Sequence, residues 1–418
     1  MEAVAELFTK SANKGLKLSV MSQTQTIPAA LPVESRLPMS SVAESILIPW
    51  AIWFVVAGVS TILLGLIWDT SWHMSVGRDM LWTPPHILMQ LSAILIGIAC
   101  THAVLATTFA VDSPARDATV RVLGFHAPGG AFIAGWSCVA MLATTPFDNW
   151  WHNAYGLDAK ILTPPHVLAV LASFICKTGA MAWMASIINR SQEVLRGRLA
   201  WLLLIVGSVG VVEISEMITE PTWFTNMHTA GCYLAVAVFI PAMMIAPGWG
   251  SAQKWGCTIL AALYTAIGLG SEWLLPLIPA QPKLGPVYHN ITHLVPLRFP
   301  LLLIVPAFVA DLLLQKLKQR SSWTKAIWLG PAFLISFLAV QWPFASFLIS
   351  PGARNWIFGT AYFAYIDPAG ILYDPYKFNV TEKTPGIFLL TMVMALVVSI
   401  VMVRLGLAWG DWMRRIRR

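Results

Sequence analysis

Residues 45–86 read SILIPWAIWFVVAGVSTILLGLIWDTSWHMSVGRDMLWTPPH. An apolar run over 45–68 gives way to Asp69, Trp72 and His73, turns through Gly77, Arg78 and Asp79, and becomes apolar again at Thr83-Pro84-Pro85-His86. Residues 128–166 repeat the plan with Asp148, Trp151, His152, Gly156, Asp158 and Thr163-Pro164-Pro165-His166. Both copies obey D-x2-W-H-x3-G-x-D-x(3,4)-T-P-P-H, and a single extra residue precedes the second Thr-Pro-Pro-His. An apolar run of about 20 residues is the length that crosses a bilayer. The repeated unit is therefore a hairpin of two transmembrane helices whose loop carries carboxylate and imidazole groups.

The rest of the chain follows the same pattern. Of its 418 residues 57% are hydrophobic and only 11% charged, against about 25% charged in a soluble domain. Membrane-length apolar runs lie near 45–68, 86–110, 128–146, 166–189, 199–218, 228–247, 254–278, 299–316, 324–349 and 386–409. The expected fold is an all-α, polytopic transmembrane bundle of about ten helices with repeated two-helix hairpin units. The fifth run contains Glu213 and Glu216, and Pro331 and Pro343 interrupt the ninth. Four regions are expected: a flexible segment 1–43, a metal-binding four-helix region 44–190, further membrane helices over 191–409, and a basic tail 410–418. The connection 351–385, rich in tyrosine, reads as resting on the membrane surface.

The net charge of +7 is no nucleic-acid signal, because the basic residues form no stripe and sit in connections and tails. They report topology. Connections after even-numbered helices, with the C-terminal tail, hold Arg116, Arg121, Arg190, Arg196, Arg198, Lys254, Lys316, Lys318, Arg320, Lys325, Arg414, Arg415, Arg417 and Arg418; those after odd-numbered helices hold Arg78, Lys160, Lys283, Arg298, Arg354, Lys377 and Lys383. Basic residues concentrate on the cytoplasmic side. Both termini are thus expected in the cytoplasm and both Asp/His loops on the other side of a bacterial or archaeal cytoplasmic membrane. Residues 1–43 lack an uninterrupted apolar stretch and do not read as a cleavable signal, so the first helix is the expected insertion signal. Cys100, Cys138, Cys176, Cys232 and Cys257 all fall in apolar runs without CxxC spacing, which reads as packing.

Asp69 and His73 lie at i and i+4, on one face of a helix. Thr83 suits an N-cap and Pro84 the first helical position, which puts His86 in the first turn of the next helix. Helix exit and helix entry share a depth, so Asp69, His73 and His86 converge; the same holds for Asp148, His152 and His166. One carboxylate and two imidazoles leave coordination positions open, as catalysis requires and a closed structural site does not provide. The ligand types alone do not choose the metal: they match the facial triad of non-haem iron(II) and also suit copper(II) or zinc(II), with raw affinity favouring copper. Asp79 and Asp158, together with Arg78, are placed to orient the ligands. The bland alternative is a set of solvated helix-end residues, but a solvated loop gives no reason for the same order twice.

Other ionisable groups lie within apolar runs. Lys177 is a functional candidate by default, with snorkelling or pairing to a carboxylate as its alternatives. Glu213, Glu216 and Glu220 share roughly one helical face, lining a cavity or forming a helix-end cluster. They precede His228, and Glu272 precedes His289 and His293, as weaker echoes of the Asp/His pattern.

The first copy resembles the C subunit of the copper membrane monooxygenases, the particulate methane and ammonia monooxygenase family, whose segment has the form D-G-T-W-H-M-T-x-x-R-D-x-D-F-T-P-S-H-I. Asp69, Trp72, His73, Met74, Arg78, Asp79, Thr83, Pro84, His86 and Ile87 correspond. In that family the Asp and both His are copper ligands, which the resemblance carries to Asp69, His73 and His86. A second family site has Asn, His four residues on and His fourteen further on; here Asp148 replaces the Asn before His152 and His166. The resemblance covers roughly residues 45–190 and does not extend to 200–418, nor does the chain contain the cupredoxin domain found on a family partner. It implies a copper-dependent membrane monooxygenase or its metal-bearing subunit, with Asp69, His73 and His86 at the reacting centre, O2 and a short hydrocarbon or ammonia as substrates, and an electron donor and other membrane subunits as partners in a homo- or hetero-oligomer. The rival reading is a non-catalytic metal-binding or structural subunit of a larger membrane complex.

Overall fold

The computed structural model describes residues 47–77, 81–109, 114–156, 163–284, 291–359, 376–378, 382 and 384–418. Expectations placed on 1–43 and on Arg78, Asp79, Asp158, His289 and the tyrosines of the 351–385 connection other than Tyr376 lie outside the described residues.

Ten α-helices form the described fold: α1 (Trp50–Ser75), α2 (Pro84–Phe109), α3 (Gly129–Tyr155), α4 (Pro164–Ile188), α5 (Glu193–Met217), α6 (Ala230–Gly250), α7 (Gly256–Leu274), α8 (Ile304–Lys316), α9 (Ser322–Leu348) and α10 (Pro385–Met413). All except α8 are long and apolar enough to cross a membrane. The chain is a multi-pass integral membrane protein of the all-α class. The two repeated hairpins are α1 packed on α2 and α3 packed on α4, joined by contact between α2 and α3.

Small residues set the closeness of these pairs. A Cβ at Gly130 would strike the backbone of Gly179 and Trp183, and one at Gly179 would strike Gly130 and Ala134. The α3 and α4 backbones therefore meet at van der Waals range, as small residues allow between membrane helices. The α5 and α6 helices lie deepest in the assembly, with Leu203, Leu204, Val206, Val236, Ile240 and Met244 fully buried. Pro331 and Pro343 are accommodated inside a continuous α9, since neighbouring groups can satisfy the freed backbone of a membrane helix.

Two features depart from the sequence expectation. A short antiparallel hairpin, β1 (Val120–Val122) and β2 (Phe125–Ala127), turns at the end of the bundle opposite the Asp/His loops. Alternation over so few residues is too short a signal to stand out between two apolar runs. The second departure is the expected span at 299–316. Helix begins only at Ile304, and 291–303 is irregular yet largely buried. Pro296 and Pro300 each lack a backbone donor and disfavour helix at the residue before them, which accounts for the break.

Candidate metal centre

Each Asp/His set is built from the last turn of one helix and the first turn of the next. In the first copy α1 continues to Ser75, so Asp69 and His73 are one turn apart on a continuous helix, with Nε2 of His73 3.6 Å from Oδ2 of Asp69. His86, in the first turn of α2, places its Nε2 3.3 Å from Oδ1 of the same carboxylate. In the second copy, Nε2 of His152 and Nε2 of His166 lie 3.6 Å and 3.5 Å from Oδ1 of Asp148. One ligand atom from each of Asp148, His152 and His166 lies within 4.8 Å of the others, the one such triad among the described residues. The second set is thus the more compact.

The spacings of the second set fit a shared cation, whereas in the first set the two imidazoles approach different oxygens of Asp69 and the three ligand atoms are not all within 4.8 Å of one another. Two ligand atoms each about 2.0–2.1 Å from an ion and subtending a tetrahedral angle lie about 3.4 Å apart. Oδ1 of Asp69 and Oδ1 of Asp148 are buried and accept no hydrogen bond, although buried carboxylate oxygens ordinarily do. The equivalent atom is left over in both copies. The imidazole Nδ1 of His152 sits 3.1 Å from the carbonyl oxygen of Gly156; a carbonyl only accepts, so in the tautomer with Nδ1 protonated this contact is a hydrogen bond and Nε2 is the nitrogen left to ligate an ion. Ligating histidines are oriented in this way.

Gly77 and Gly156 occupy matching places in the two copies. Both adopt left-handed backbone, φ +110° and +85°, a conformation glycine enters without steric penalty. They end α1 and α3 after the second ligand, with the Gly156 N–H returning to the His152 carbonyl. The Pro-Pro pair sits where expected at the start of α4, after Thr163 in the N-cap position.

The surroundings of the two sets differ. Lys283 and Leu284 both donate backbone N–H groups to the Val76 carbonyl, so the segment after α7 lies across the end of α1. Val295 is pinned to the same helix: its carbonyl accepts from Ser71 Oγ at 2.6 Å and its N–H donates to Ser75 Oγ at 2.7 Å. The signal for this contact was two serines one turn apart inside the first motif. Around the second set, a Cβ added to Gly156 meets nothing within 4 Å.

The echoes do not assemble into further sets among the described residues. His228 stacks between Trp342 and Phe378, ring centroids 4.1 and 3.7 Å away, and its Nε2 faces the Trp342 carbonyl at 2.9 Å. His293 is exposed and engages the Thr292 hydroxyl. Lys177 pairs with Glu213 at 2.5 Å in the buried interior and donates to Ser173 Oγ. All five cysteines are buried and free.

A helical membrane protein with a duplicated Asp/His/His constellation at one end of two hairpins is the class that fold and site define. Comparison with protein-family models, curated proteins and solved structures gives no match.

Proposed function

We propose that this chain is a copper-dependent membrane monooxygenase or the metal-bearing subunit of one, with Asp69, His73 and His86 holding one ion and Asp148, His152 and His166 a second. The observation that carries the reading is the repeated convergence of two imidazole Nε2 atoms on a single carboxylate, with separations of 3.3–3.6 Å. The resemblance of residues 45–190 to the monooxygenase C subunit supports copper over iron or zinc. When bound there, copper supplies one-electron redox chemistry toward O2 and a coordination position left open by three protein ligands.

The chain's own groups divide the remaining work. Each Asp offsets cation charge, and the Gly156 carbonyl holds His152 in the tautomer that donates through Nε2. The apolar faces of α1 to α4 admit a small uncharged substrate from the lipid while keeping bulk water from a reactive centre. Both loops are assigned to the non-cytoplasmic side by the basic-residue bias. An external electron donor and further membrane subunits complete the reaction.

The test is metal analysis of detergent-purified protein, with electron paramagnetic resonance for Cu(II) and turnover of a short hydrocarbon or ammonia with O2 consumption. Copper bound at these residues with turnover is expected. Copper without turnover in the assembled complex supports the non-catalytic metal-binding subunit instead, and protein that binds no more copper than His73→Ala overturns both.

A further inference from the structure

The thirteen residues of α8 span about 20 Å at 1.5 Å per residue, less than a hydrocarbon core of about 30 Å. The irregular stretch 291–303 leads into α8, and Leu294, Val295, Leu297, Leu301 and Leu303 are buried. Irregular backbone at membrane depth survives only where protein encloses it or it lines a cavity. Here side chains take up its N–H groups: Leu301 donates to Tyr264 Oη and Leu302 to Gln341 Oε1, each at 3.0 Å.

A small interior cavity, with room for about one water molecule, lies against this stretch. Its polar lining is Glu216 of α5, Tyr264 and Ser271 of α7, and Arg298 of the irregular segment; Ile67 is the α1 contribution. Arg298 is 7% exposed. Its Nη1 donates to the Thr222 carbonyl at 2.7 Å and to the Thr222 hydroxyl, and Nη2 donates to the Ser215 carbonyl at 2.5 Å. Those acceptors are all neutral.

The charge opposite Arg298 is therefore Glu216, whose carboxylate makes no direct ion pair or hydrogen bond among the described residues. One helical turn away, Glu213 is already matched by Lys177. Two cations and two carboxylates thus form one direct pair and one pair whose members line the same water-sized space. Ionisable groups inside a membrane bundle mark ion and proton pathways.

We propose that the Glu216–Arg298 cavity is an intramembrane proton-binding site, in which Glu216 takes up and releases one proton through a water held among Glu216, Arg298, Tyr264 and Ser271. Protonation forms an O–H bond on the Glu216 carboxylate and leaves hydroxide or water behind, with no redox change. Each charge state has partners: the anion faces Arg298, and the acid donates to the cavity water while Arg298 keeps its three neutral acceptors. The groups that bear on it are Arg298, Tyr264 and Ser271 across the cavity, the Cys232 thiol near Arg298, Glu213 along its own helix and Lys177 on α4, paired with Glu213. The assignment does not rest on metal at either Asp/His set.

Infrared difference spectroscopy of the full chain in liposomes, stepped between neutral and acidic buffer in H2O and D2O, tests it. A carboxylic-acid C=O band that grows on acidification and shifts in D2O is expected, absent from Glu216→Gln and retained in Glu272→Gln. Tyr264→Phe should displace the band without abolishing it, which serves if Glu216→Gln fails to fold. A wild type with no such band, a band unmoved by Tyr264→Phe, or one lost with Glu272 instead overturns the proposal.

Discussion

Gln90 donates its side-chain amide to the Thr145 hydroxyl, linking α2 to α3 one turn from His86 and one turn from Asp148. The two Asp/His sets therefore stand at one level of the bundle on adjoining helices, braced by a bond between the repeats. Replacing Gln90 or Thr145 with Ala should cost about 1 kcal/mol each. In a double-mutant cycle followed by thermal unfolding in detergent, the two losses should be markedly non-additive. Additive losses would mean the bond carries no coupling.

The ligand sets make separate forecasts. His73→Ala and His86→Ala each remove one of three protein donors and should release the first ion, and His152→Ala and His166→Ala the second. Asp69→Asn keeps an oxygen donor but no charge, so it should retain more metal than His73→Ala. Metal per folded chain, by elemental analysis, should fall by about one equivalent in either series. A ratio unchanged in His73→Ala and in His152→Ala would leave helix-end stability as the only role for these residues.

Much of this arrangement was legible in the chain. The matched order of Asp, His and Thr-Pro-Pro-His fixes helix exits and entries at a common depth, and local geometry then brings the side chains together. What stayed hidden depends on long-range packing. Nothing near Arg298 in sequence announces that its partners are Ser215 and Thr222, more than seventy residues away. The run 299–316 is apolar enough to pass for a span, and only the restrictions imposed by Pro296 and Pro300, with the enclosing side chains of Tyr264 and Gln341, keep its first part out of the helix.

The two motif glycines should not respond alike. Gly156→Ala places a Cβ in open space, so it should cost about 1–3 kcal/mol, the penalty of a backbone region (φ 85°, ψ −170°) that essentially only glycine adopts. Gly77→Ala would set its Cβ onto the Leu284 carbonyl oxygen. Its loss should be clearly larger, with faster hydrogen exchange at Lys283 and Leu284 as their bonds to Val76 loosen. Equal unfolding midpoints for the two variants would contradict the contact.

His126, on β2 outside the membrane spans, has its pKa lowered from the ordinary 6.5, first by desolvation and then by the nearby Arg116 and Arg121. Its folded pKa lies below its unfolded one, so the stability it contributes is full above about pH 6.5 and is lost as pH falls toward the folded value. Protection factors over 120–127, which divide out the intrinsic slowing of amide exchange in acid, should therefore fall on acidification through that range, and His126→Gln should flatten their pH dependence. An unaltered profile in the variant would assign the effect elsewhere.

The Lys177–Glu213 pair carries the strongest stability forecast. Both side chains are almost fully buried, 2% and 8% exposed, on helices α4 and α5, and removing one partner of such a pair strands a charge where solvation is weakest. Lys177→Met alone or Glu213→Leu alone should each cost about 3–5 kcal/mol, whereas the double replacement by apolar groups should recover most of the loss. Unfolding midpoints of the three variants in one detergent provide the comparison. If the double variant is as unstable as the sum of the singles, the two residues act independently, and the pair is not what holds α4 against α5 at that depth.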